Sequence, residues 1–174
     1  MVLSSYVTYS RYDSEIILIK IAWHFEARPQ GLNCDSGSKN CLSDREDIIK
    51  TIETFFEAGK TKDLSPLREI QLNDPAFSSF SDLPPYDLKD YKTSVELEEL
   101  RFVSISDYDY AIRNPKISIF GDVAVVAFEL TQKGMLVDTK AYTGEFMEIQ
   151  GRATFVLVRK ESWKIAHIHL SKIS

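Results

Sequence analysis

The hydrophobic period of this chain changes once, from helical spacing to alternation, and that change constrains the fold more than any other feature. Ile48, Ile49, Ile52, Phe55 and Phe56 recur at helical spacing and make one apolar stripe. Beyond them the period falls to two. Val103–Arg113, Lys116–Phe120, Val123–Gln132, Tyr142–Lys160 and Trp163–Lys172 read as strands. Asn114-Pro115, Gly121-Asp122, Lys133-Gly134 and Glu161-Ser162 separate them as turns. Helices followed by a meandering antiparallel sheet give an α+β layout. A length of 174 residues suits one compact domain with a modest extension.

The domain is expected to begin at residue 44. Ser43-Asp44-Arg45-Glu46 has the form of a capping box, and Gly59 is the expected stop of that helix. A second short helix starts at Ser65 with Pro66 in its first turn, and a third lies between Asp87 and Arg101. Tyr142–Lys160 is long for a flat strand, so Gly151 is read as a bulge or bend. Residues 1–43 have a different character. They hold two β-prone runs, Ser5–Ser10 and Glu15–Phe25, that suggest a hairpin, then a Gly-, Ser- and Asn-rich linker. Cys34 and Cys41 fall in that linker, as a disulfide or as two free thiols.

Charge and hydropathy exclude several classes. The 21 basic and 26 acidic residues leave a net charge of −5, which argues against a nucleic-acid or anionic-membrane partner. The longest N-terminal apolar run, Ile16 to Trp23, is broken by Lys20, too short to span a bilayer and preceded by Asp13 and Glu15 rather than by positive charge. The cytoplasm is the default location. No phosphate-cradling glycine loop or zinc motif is present, and no cofactor is expected.

Val123-Ala124-Val125-Val126-Ala127-Phe128 lacks polar alternation, and so does Phe155-Val156-Leu157-Val158. Such strands are covered on both faces. The helices cover one, and a second copy of the chain most simply covers the other, so a homodimer or larger assembly is expected.

Asn114-Pro115-Lys116-Ile117-Ser118-Ile119-Phe120-Gly121-Asp122, Leu130-Thr131-Gln132 and the ending Trp163-Lys164-Ile165-Ala166-His167-Ile168-His169-Leu170-Ser171 carry a likeness over residues 44–174. They resemble the SnoaL-like branch of the nuclear-transport-factor-two-like superfamily. The association (hub) domain of calcium/calmodulin-dependent protein kinase type two is especially similar. The resemblance implies a cone: helices packed in a strongly curved antiparallel sheet, an internal pocket, and dimerisation through the sheet. It implies no activity, because this fold hosts isomerases, cyclases, hydrolases and association modules alike.

On the same resemblance the pocket receives Glu129, Arg152, Thr154, Ala166, Ile168 and Leu170. The hub has arginines at the positions matching Glu129, Thr154 and Leu170, and this chain has none there, which tells against the hub's route to a small carboxylate. Glu129 and Arg152 are then the candidate catalytic pair inside a mostly apolar cavity, a general base with an orienting cation, or else a structural salt bridge. Tyr86 is a candidate lid residue, and Asp82 a pocket-rim or solvated loop residue. Asp107, Tyr108, Asp109 and Tyr110 alternate, and a tyrosine beside a carboxylate in an apolar pocket suits ketosteroid-isomerase-like proton transfer. His167 and His169 share a face by parity. With only His24 besides, they are read as dimer-interface residues together with Trp163, Phe155 and Leu157 rather than as metal ligands. Three functions follow: a domain binding a small, largely apolar molecule, an acid–base enzyme, or a protein-association module.

Overall fold

The computed structural model describes residues 39–138 and 143–173. The N-terminal hairpin, Cys34 and the side chain of Cys41 lie outside the described residues, as do His24 and Tyr142. Three helices, α1 (Lys39–Thr61), α2 (Ser65–Ile70) and α3 (Tyr91–Ser104), accompany five strands. These are β1 (Ser78–Phe80), β2 (Ile105–Phe120), β3 (Val123–Asp138), β4 (Thr143–Arg159) and β5 (Trp163–Lys172). The sheet runs β1-β5-β4-β3-β2, antiparallel except for the short β1, which pairs parallel with β5. The architecture is the expected α+β one, helices against one face of a sheet of long strands. No helix among the described residues is long and apolar enough to cross a membrane.

Local sequence explains most element ends, with instructive exceptions. Asp90 caps α3 by accepting from the Thr93 backbone N–H at 2.8 Å. α1 begins at Lys39, upstream of Ser43, so the expected capping box lies inside the helix. Asp44 instead takes tertiary partners, Arg159 at 2.5 Å and the Trp163 indole at 3.5 Å. Arg159 also lies over the Trp163 ring, 4.5 Å from its centroid. Gly59 does not stop the helix. A Cβ there would sit 2.3 Å from Cδ1 of the fully buried Phe102, so the glycine permits close approach of α1 to α3. The left-handed residue after α1 is Lys62, at φ 63, and its ammonium donates to the Phe102 and Ile105 carbonyls at the end of α3.

The inner face of the sheet carries the core. Ala124, Val126, Phe128 and Leu130 of β3 and Ala153, Phe155 and Leu157 of β4 are buried against Ile48, Ile52, Phe55 and Phe56 of α1. Phe55 meets Phe56, Phe102 and Phe155 edge-on, with ring centroids 5.1 to 5.8 Å apart. β2 is one strand, not two. Asn114 at φ 51 and Pro115 form a bulge across which the ladder with β3 resumes in shifted register. Val103 and Ser104 close α3 rather than opening that strand.

A second irregularity decides which residues face inward. At Gly151 the pairing with Leu130 and Lys172 is regular, and the glycine serves a close backbone approach, 2.6 Å from a built Cβ to the Ser171 carbonyl oxygen. The bulge lies across the ladder in β5. Leu157 pairs with Ile165 and Val156 with His167, which leaves Ala166 as an extra residue. Trp163 and Ile165 before it and Ile168 and Leu170 after it are therefore all buried. Trp163, Phe155 and Leu157, expected on a dimer face, are core residues. Trp163 is only 4% exposed, and Phe155 and Leu157 are fully buried.

Candidate functional site

The inner face is apolar except at one end, where α3, β2 and β3 meet the loop after β1. Glu98 and Arg101 stand one turn apart on α3, and Asp82 comes from the loop. Tyr108 and Gln132 face inward from β2 and β3. Arg101 Nη1 lies 3.0 Å from Asp82 Oδ1 and 3.8 Å from Glu98 Oε2. Gln132 ties the group together. Its Oε1 accepts from Arg101 Nη2 at 3.0 Å and from the Tyr108 hydroxyl at 2.9 Å, and its Nε2 donates to Asp82 Oδ2 at 3.2 Å. The exposed fractions of the Arg101, Asp82 and Glu98 side chains are 7%, 2% and 10%. Two carboxyls and a guanidinium thus share a nearly dry site, an arrangement that costs several kcal/mol per ion in desolvation before any pairing returns it.

Burial sets the protonation of this group. It pushes the Glu98 carboxyl above its ordinary value, against the pull of Arg101 and with the push of Asp82. Burial also disfavours charge on Arg101, but Glu98 and Asp82 outweigh it and hold the guanidinium above its usual value. The Tyr108 phenol is pushed up, chiefly by burial, and remains a donor. Since the folded chain holds the Glu98 proton more tightly than the unfolded chain, protonation favours the fold. That contribution is complete below the ordinary value of 4.5 and disappears as pH rises through the raised one. Glu98→Gln should therefore gain stability relative to the native chain by about 1.4 kcal/mol per pH unit through that window. Denaturant titrations at a series of pH values measure it, and parallel curves for the two chains would contradict it.

The cluster opens onto a cavity of about 190 Å³. Glu98, Arg101, Lys89 and Ser94 line it, with apolar walls from Leu83, Pro84, Pro85, Leu97, Leu100, Ile105 and Leu136. Lys89 is anchored by the Pro85 and Asp87 carbonyls, at 2.5 and 2.8 Å, and the Ser79 hydroxyl donates to Ser94 at 2.8 Å. Glu98 Oε2 and Arg101 Nε have no hydrogen bond among the described residues.

The residues expected in the pocket divide. Ile168 and Leu170 lie on the inner face but belong to the packed core and do not line this cavity. Glu129, Arg152 and Thr154 are not on that face. Glu129 and Arg152 are exposed cross-strand neighbours on the outer face, and Thr154 pairs with Ala127 beside them. Their neighbours Phe128, Ala153 and Phe155 take the inner positions, and strand alternation sends the candidate catalytic pair outward. Asp82, read as a rim or solvated residue, is inside and ion-paired. Tyr108 and Tyr110 both face inward, whereas Asp107 is exposed and Asp109 pairs with Lys60 at 2.9 Å. The tyrosine therefore meets a carboxylate through Gln132 and Asp82, not through its sequence neighbours. Tyr86 is exposed in the turn beside Pro85. His167 and His169 lie on the outer face, where the Ser78 hydroxyl is 2.8 Å from His167 Nδ1 and Phe80 packs against both rings. Among the described residues no group of three His, Cys, Asp or Glu is placed to hold a metal.

Glu98, Arg101 and Gln132 were not singled out from sequence. The available signal was a glutamate in helical step with the apolar Val95 and Phe102 of α3, an arginine three residues after it, and a glutamine continuing the inward register of β3.

Solved structures with the same fold are known. A proposed dehydratase of the NTF2-like family from Streptomyces avermitilis superposes with a TM-score of 0.65 at 19% identity, covering 76% of this chain and 99% of that one. The association domain of C. elegans CaMKII matches with a TM-score of 0.59 at 21% identity, over 77% and 99% of the two chains. A proposed aromatic ring hydroxylase from Novosphingobium aromaticivorans matches with a TM-score of 0.63 at 17% identity, over 76% and 91%. At these identities the likeness is one of fold. No curated protein matches the chain. The sequence pattern of the SnoaL-like domain, however, matches residues 32–174, most of the chain and all of its described strands. The packing of helices in the sheet is the NTF2-like fold, and that match places the chain in the SnoaL-like domain family.

Proposed function

We propose that this chain is a self-associating domain that binds a small, largely apolar molecule in its cone, with the polar part of the ligand at Glu98 and Arg101. One observation carries the reading: a buried acid and guanidinium, each with an atom lacking a hydrogen bond among the described residues, line a cavity whose other walls are mostly apolar. A few convergent polar groups in an apolar cleft are the usual composition of a ligand site. Charges buried only for stability would serve less well than apolar side chains of the same size. Self-association is supported by the outer face. Val125, Val156 and Val158 remain partly exposed there beside Val123, Phe80 and the two histidines.

Acid–base chemistry is a second reading, favoured by the Glu98 carboxyl, which burial makes hold its proton more tightly than an ordinary carboxyl and which lines the cavity. It moves the candidate acid from Glu129 to Glu98. Native mass spectrometry of the purified protein, followed by denaturing extraction, tests the proposal. A dimer or larger species carrying a small molecule, with lower occupancy in Glu98→Gln, is expected. A cone that is empty when the protein is purified from its own source overturns the binding reading, and a monomer at micromolar concentration overturns self-association.

A further inference from the structure

The cavity and its rim say more about the ligand. The charges at the floor are already compensated. Arg101 faces Asp82 at 3.0 Å, and the Lys89 ammonium is held by two backbone carbonyls with the Asp87 carboxylate at 3.8 Å. An ionic ligand group would enter this site without a counter-charge and bear the cost of a buried unpaired ion. A hydroxyl or carbonyl fits better, since Arg101 Nε is a buried donor and Glu98 Oε2 a buried oxygen, neither with a hydrogen bond among the described residues.

Size supplies the second constraint. A volume of 190 Å³ matches about six waters at liquid density, short of the roughly 300–1,000 Å³ of a site that encloses a drug-sized ligand. The mouth continues outward as apolar surface. Leu100 and Leu136, both lining the cavity, are 62% and 40% exposed, and Val103, one turn from Leu100 on the same face of α3, is 67% exposed. An apolar collar around a polar-floored cavity suits a molecule longer than the cavity.

We infer that the ligand is a neutral amphiphile, with a hydroxyl or carbonyl head on Glu98 and Arg101 and an apolar body that outruns the cavity and lies over Leu100, Val103 and Leu136. The inference rests on the cavity being a ligand site. It is tested by calorimetric titration with butanol, hexanol, octanol and decanol, and with octanoate and octylamine as charged controls. Affinity should rise about fourfold per methylene and keep rising from octanol to decanol, because the added methylenes land on the collar. Octanoate and octylamine should bind at least tenfold more weakly than octanol. Val103→Asp, at an exposed position, should reduce the gain from octanol to decanol. A plateau beyond hexanol, or octanoate binding as tightly as octanol, overturns the amphiphile assignment while leaving a ligand site in place. Failure of every alcohol to bind overturns the ligand site itself.

Discussion

Arg101→Met should cost about 3–5 kcal/mol of folding stability at neutral pH, the range for removing one partner from a buried ionic group. Methionine nearly fills the space, so the loss is electrostatic. Asp82 and Glu98 would face each other with no cation between them, and Gln132 Oε1 would keep only the Tyr108 donor. Urea denaturation measures the effect. The deficit should shrink as pH falls and the carboxyls take up protons, and adding Glu98→Gln to Arg101→Met should recover part of it. A deficit below about 1 kcal/mol would mean that the cluster is far better hydrated than its burial indicates.

Phe102→Ala is the second large effect. Phe102 is fully buried, with ring centroids 5.8 Å from Phe55 and 5.1 Å from Tyr108, and truncation should cost about 3–5 kcal/mol. Its more informative use is in a cycle with Gly59. Gly59→Ala alone drives a methyl into the Phe102 ring and should cost about 1–3 kcal/mol. In the Phe102→Ala background the methyl enters vacated space, so that cost should vanish or change sign. Additive losses in the double variant would show that the helices approach less closely than the 2.3 Å contact requires.

The fold was legible because its signals are long. The change of period, Pro66 opening α2 and the turn at Gly121 each reflect one local rule with nothing opposing it. Parity within the sheet was not legible to the same degree. The face of each strand residue depends on where the ladder gains a residue, and Ala166 carries no glycine or proline to mark it. Counting straight through it groups Trp163 and Ile165 with the histidines. Glu129 and Arg152 misled for another reason. They are opposite charges placed directly across two strands, a pairing that an exposed face produces as readily as a pocket does. Glu98 and Arg101 were obscured because charges three apart on a helix usually mark its wet side. Burial reverses that meaning, and it comes from β2, β3 and the loop, not from α3.

The extra residue in β5 also sets what kind of change the C-terminal hairpin can absorb. Either half of that strand is in phase with the core only because Ala166 stands between them. Removing it would send either Trp163 and Ile165 or Ile168 and Leu170 to water and bring polar neighbours inside, a loss no repacking of single side chains restores. Substitutions along the strand are graded, position by position, but its length is all-or-none. Relatives of this chain are therefore expected to vary in composition through this hairpin while keeping the residue count between Leu157 and His167 fixed.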